Sequence, residues 1–104
     1  MNNKQKKLLK QAAQRQKALF QLGKANLTPE FITQIDEALN KRELVKISIL
    51  QNATQPDEEV EEALISALGL EWSDHIGHTL SLFRTAKQEK NRDLSLRVKA
   101  LGMV

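Results

Sequence analysis

The chain has 104 residues, 40% of them hydrophobic, and no cysteine. That length suits one domain with its own core, and the lack of thiols excludes a disulfide, a thiolate metal site and a cysteine nucleophile. The net charge of +3 conceals a segregated pattern: residues 1–24 hold seven bases and no acid, residues 51–74 hold seven acids and no base, and residues 75–104 hold six bases against two acids. Two basic ends around an acidic middle suit a one-faced polyanion binder, and suit equally two solvated termini. The longest uncharged apolar run, Ala63 to Leu70, is eight residues, far below the ~20 of a membrane helix. Lys10, Arg15 and Lys17 interrupt any signal-peptide core, so the expectation is a soluble, unprocessed cytoplasmic chain.

Residues 3–17 read as a first helix, with Leu8, Leu9, Ala12 and Ala13 as a narrow apolar stripe among lysines and glutamines. Residues 18–22, ALFQL, read as a short buried strand. A second helix starts firmly, with Thr28 as N-cap and Pro29 at the first helical position. Its stripe is Phe31, Ile32, Ile35, Ala38 and Leu39, and it ends near Lys41-Arg42, whose charges favour a C-terminus. Residues 43–50, ELVKISIL, alternate as a strand, with Val45, Ile47 and Ile49 on one face and Lys46 and Ser48 on the other. After the turn-rich QNATQP, Asp57 is expected to cap a third helix. Acids fill its first turns, Val60, Ala63, Leu64, Ala67 and Leu68 form its stripe, and Gly69 sits at its end. EWSDHI and TLSLFR flank Gly77-His78, which suits a two-residue type II′ hairpin.

The order is therefore an N-terminal helix and then β-α-β-α-β-β, an α+β fold whose four-stranded mixed sheet is packed with helices. The first three strands run in one direction and the fourth is antiparallel. Residues 1–87 form the domain. Residues 88–104 read as a basic C-terminal tail with at most a short helix, supplying little core.

Several constellations fall away. Ser73-Asp74-His75 has the letters of a hydrolase triad, but adjacent strand residues point to opposite faces. His75 and His78, with Glu71 and Asp74, lack a third strong ligand for zinc. The carboxylates at 57–62 fit a helix start and solubilising face better than a magnesium site. A lipid-binding first helix would carry Trp or Phe, and this stripe has neither. Trp72 and Phe83 fit a core better than base stacking. No residue set supports an enzyme, a cofactor or a small-molecule substrate.

LGKANLTPEFITQIDEALNKRELVKISIL together with IGHTLSLFR resembles the CRM domain family (chloroplast RNA splicing and ribosome maturation), in its stand-alone bacterial YhbY-type form, over about residues 3 to 87. The resemblance implies a fold like the C-terminal domain of translation initiation factor three. It also implies an RNA-binding role on the large ribosomal subunit or its precursor, with ribosomal RNA as partner. The family turn Gly-Lys-x-Gly stands here as Gly23-Lys24-Ala25-Asn26, and asparagine tolerates the left-handed region. In the hairpin, His78 stands where the family has lysine, so charge there becomes pH-dependent. On this resemblance Lys4, Lys6, Lys7 and Lys10, Lys24, and Arg84 would hold phosphates, and Gly23 and Asn26 would shape the turn against the RNA backbone. Lys41, Arg42 and the bases of the tail are lesser candidates. The rival from another class is a protein–protein adaptor in ribosome assembly or translation using the acidic third helix.

Overall fold

The computed structural model describes residues 1–24 and 26–102. Its elements are α1 (Asn3–Gln14), β1 (Phe20–Leu22), α2 (Pro29–Arg42), β2 (Leu44–Ile49), α3 (Asp57–Leu68), β3 (Trp72–Ile76), β4 (Thr79–Phe83), a 3-10 turn (Glu89–Asn91) and α4 (Leu94–Gly102). The expected α+β order holds. The sheet runs β1-β2-β4-β3, with β1 parallel to β2 and β4 antiparallel to both its neighbours. The first three strands do share one direction, and β4 is inserted between β2 and β3.

Local chemistry sets most element ends. The Thr28 hydroxyl accepts the Phe31 N–H at 3.1 Å, and Pro29 follows at the first helical position. At the other end of α2, Glu43 takes the left-handed conformation with φ 65°, as Gly69 does after α3 with φ 62°. Gly77 has φ 59° and His78 has no positive φ, as a type II′ turn requires. Asp57 corrects its expectation: Pro56 holds the cap position of α3 without a side-chain bond, and Asp57 is the first residue inside. Its carboxylate is committed to the hairpin histidines instead.

Strand alternation divides the sheet into two faces. On the first, Leu22, Val45, Ile47, Ile49, Leu80 and Leu82 are buried under Ile35 and Leu39 of α2 and Val60, Leu64 and Leu68 of α3. Ala63 and Ala67 are exposed, so the buried stripe of α3 is narrower than its sequence suggests. Where β3 turns polar on this face, α3 answers in kind: Ser73 donates to Glu61 at 2.6 Å and His75 meets Asp57 at 3.1 Å.

The second face has its own, smaller core. Leu44 and Phe83, with Trp72 beside them, pack against Leu9 and Ala13 of α1 and Leu94 and Val98 of α4. Residues 88–102 therefore do not behave as a tail. Gln5 Nε2 donates to the Val98 carbonyl at 2.9 Å and Asn2 Nδ2 to the Leu101 carbonyl at 3.0 Å, so the start of α1 is tied to the last turns of α4 and satisfies the orphan carbonyl of Leu101. Glu43 anchors the other end. It is fully buried, and its carboxylate accepts the N–H groups of Ala86 (2.8 Å), Asp93 (2.9 Å) and Ser95 (3.1 Å). Burial opposes the charge on Glu43, but the bonds from Ser95, Asp93 and Ala86 outweigh it and hold its carboxyl below the usual range.

Candidate nucleic-acid interface

The Gly23–Asn26 turn follows directly from β1. The Asn26 N–H closes it on the Gly23 carbonyl at 3.0 Å, and Asn26 is left-handed with φ 58°. Ala25 lies outside the described residues. A Cβ on Gly23 would lie 3.2 Å from Asn52 Oδ1, so glycine admits the 51–56 loop at close range. The Asn26 side chain then does what a glycine could not. Its Nδ2 donates to Thr54 Oγ1, and its Oδ1 accepts the Thr54 N–H at 3.2 Å. The departure from the family pattern thus stitches the turn to the loop before α3. Lys24 is exposed at the tip. The start of α2 adds little for an anion: Thr28 takes the N–H groups of Phe31 and Ile32, Pro29 has none, and Glu30 puts a carboxylate in the first turn.

Lys4, Lys6, Lys7 and Lys10 are all exposed on α1. Lys6 and Lys10 stand four residues apart on one flank, and Lys10 lines a groove between α1 and the second sheet face. Lys41 and Arg42 are exposed at the far end of α2, about 20 Å along the helix from the turn at 1.5 Å per residue; Arg42 lines a cavity with Gln16 and Lys17 just past α1.

Arg84 is a correction. Its side chain is only 10% exposed. The guanidinium donates to Asp36 Oδ1 at 2.7 Å, the Leu68 carbonyl at 2.9 Å, the Asp36 carbonyl at 3.1 Å and Asn40 Oδ1 at 2.9 Å. Arg84 ties the end of β4 to α2 and to the end of α3, and has no face to offer a phosphate.

At the hairpin, Asp57 Oδ2 meets His78 Nδ1 at 3.0 Å and His75 Nε2 at 3.1 Å. The bond from His78 holds the Asp57 carboxyl below its usual range, against some desolvation and with help from His75. Burial works against charge on His75, but the bonds to Asp57 and the Gly77 backbone outweigh it and raise its pKa. Histidine in the family's lysine position is thereby turned toward α3. Among the described residues no cluster of three or more metal-ligating side chains is found, and Ser73, Asp74 and His75 make no triad, since Ser73 bonds Glu61 and His75 bonds Asp57.

Sequence reasoning missed Glu43 and the environment of Lys46. Glu43 carries no local signal of its role, because the N–H groups that its carboxylate accepts lie 43 to 52 residues further along the chain. Lys46 donates to the Gln16 carbonyl at 3.2 Å, which pins the end of α1 over the second face.

Comparison with known proteins agrees with this architecture. The family model of the CRS1 / YhbY (CRM) domain matches residues 1–84. A Bacillus subtilis protein named "Probable RNA-binding protein YqeI" is 36% identical over 94 residues, covering 90% of this chain and 98% of the relative. A Haemophilus influenzae protein named "RNA-binding protein" is 31% identical over 94 residues, covering 86% of this chain and 91% of the relative. The solution structure of a hypothetical Staphylococcus aureus protein superposes with a TM-score of 0.69 at 33% identity, covering 89% of this chain and 97% of that one.

Proposed function

This chain belongs to the CRS1 / YhbY (CRM) domain family, and from that premise we propose that it is a non-enzymatic RNA-binding protein. It acts in the cytoplasm on ribosomal RNA of the large-subunit precursor, as a ribosome assembly factor. The observation that carries the reading is the separation of free charge. The exposed lysines of α1 and Lys24 of the turn stand free of ion pairs among the described residues. Five of the seven acids in 51–74 are drawn off onto α3, which covers the first sheet face. Lys4, Lys6, Lys7, Lys10 and Lys24 hold phosphates as point charges, and Gly23 and Asn26 shape the turn that approaches the backbone. The names of the bacterial relatives support RNA as the partner. The ribosomal assignment rests on the family resemblance.

Salt titration tests this. Each phosphate contact releases counterions, so log K should fall against log salt by roughly 0.7 per contact for single strands. A slope of several units, reduced by about one contact's share in Lys24→Ala, is expected. Affinity that does not change with salt would overturn the phosphate-contact account, and would favour an adaptor that uses the acidic face of α3.

A further inference from the structure

The second sheet face is covered at one end only. From Leu44, Phe83 and Trp72 under α1 and α4, the rows continue outward as Lys46–Ser81–Asp74 and then Ser48–Thr79–Ile76. Gln21 pairs with Ser48 on the β1 side. By the two-residue alternation, Leu19 and Leu50 also belong to this face. Three large apolar side chains here are well exposed: Ile76 at 65%, Leu19 at 46% and Leu50 at 40%. They account for half of the six exposed large hydrophobics in the described chain. The strip runs from the end of α1, where Lys46 reaches Gln16, to the Gly23 turn, where Leu50 lies 3.6 Å from the position of a Cβ on Gly23. Lys10 and Lys46 border a groove of about 360 Å³ at one end of the strip, and Lys24 stands at the other.

We propose that this open strip is a platform for unpaired nucleotides, so that the RNA bound is single-stranded where it crosses the sheet. The proposal rests on the RNA-binding reading above and goes further by naming the strand state and the surface. Charge selects the occupant: cations stand at both ends, and Asp74, beside Lys10 and Lys46 in the groove, is the one carboxylate in the strip. The pattern between the cations selects the strand state. A duplex hides its base faces in the stack and presents sugar and phosphate, which offers nothing to Leu19, Leu50 and Ile76. Unpaired bases expose apolar faces that these side chains cover, while Gln21, Ser48 and Thr79 supply donors and acceptors for base edges. No aromatic side chain stands in the strip, so the contacts are aliphatic and tolerant of sequence.

The test compares a short single-stranded RNA of mixed sequence with the same sequence as a duplex, on the full chain and on Ser48→Glu, with Lys24→Ala as control. The single strand should bind tighter. Ser48→Glu sets a carboxylate in mid-platform and should weaken single-strand binding about tenfold or more while changing duplex binding little. Equal affinity for both forms, or single-strand binding untouched by Ser48→Glu, overturns the platform even if Lys24→Ala weakens both forms. A parent chain that binds neither form refutes the RNA reading itself. Should Ser48→Glu fail to melt cooperatively, photocrosslinking of the unaltered chain to a thiouridine-containing strand decides. Crosslinks at Ser48–Leu50 and Ile76–Thr79 are expected, and crosslinks confined to α1 and the turn overturn the platform.

Discussion

The two faces of the sheet use the same four strands and end differently. The first is apolar along β1, β2 and β4, and two helices cover it; where β3 departs from that pattern, Glu61 and Asp57 satisfy its polar groups. The second is continuously apolar only around Leu44 and Phe83, where α1 and α4 cover it; beyond them Leu19, Leu50 and Ile76 stand exposed among polar residues. Burial follows apolar area, since that area supplies the driving force. Where polar and apolar residues mix, a helix gains too little to close over the sheet, and the surface stays available to a ligand.

Removing α4 is the strongest way to break this contrast. A chain ending at Lys87 loses the burial of Leu94 and Val98 against Leu44 and Phe83, about 3–6 kcal/mol for two core side chains. Urea unfolding should show that loss, or a transition no longer cooperative. An unchanged midpoint would mean the second core needs no cover.

Arg84→Ala tests the first face. It frees Asp36 and removes three further bonds. Because Asp36 is one-third exposed, the loss should be about 2–4 kcal/mol, somewhat less than for a fully buried pair. RNA affinity per folded molecule should not move, whereas a parallel loss of affinity in fully folded protein would return Arg84 to the interface.

Glu43→Gln sharpens the role of the second core. One amide oxygen replaces two carboxylate oxygens that accept three N–H groups, so about 1–3 kcal/mol should be lost. The pH dependence has a definite sign. Because the folded carboxyl titrates below its ordinary value near 4.5, its contribution is present above that value and fades as pH falls through the folded one. Stability of the parent should therefore decline on acidification in part through Glu43, and that part should vanish in Glu43→Gln.

The smallest effect is expected at the turn. Asn26→Gly relieves the left-handed backbone but loses both bonds to Thr54, for a net loss of about 0.5–1.5 kcal/mol. Hydrogen exchange should quicken in the 51–56 loop and leave α1 and α4 unchanged. Faster exchange throughout would show that the stitch supports the whole fold.

Much of this was readable along the chain. Thr28-Pro29 and Lys41-Arg42 bounded α2, the alternation of ELVKISIL set both faces of β2, and Gly77-His78 defined the hairpin. Caps, periodicity and turns act over a few residues, so local sequence suffices for them. The turn Gly23-Lys24-Ala25-Asn26 was legible in the same way, as were the exposed lysines of α1.

The remainder depended on partners far apart in sequence. Arg84 looks like any strand-end cation until Asp36, 48 residues away, is placed beside it. Glu43 looks like a solvated acid until the N–H of Ser95, 52 residues on, meets its carboxylate. Whether a charge is free for a ligand or consumed by the fold is set by which groups surround it and how far water is excluded. Local sequence was enough for the first three helices, the four strands and the basic ends. Tertiary structure alone decided that Arg84 is buried, that the C-terminal residues are core, and that half of one sheet face stays open, because each of those outcomes is a contact between segments that no local rule connects.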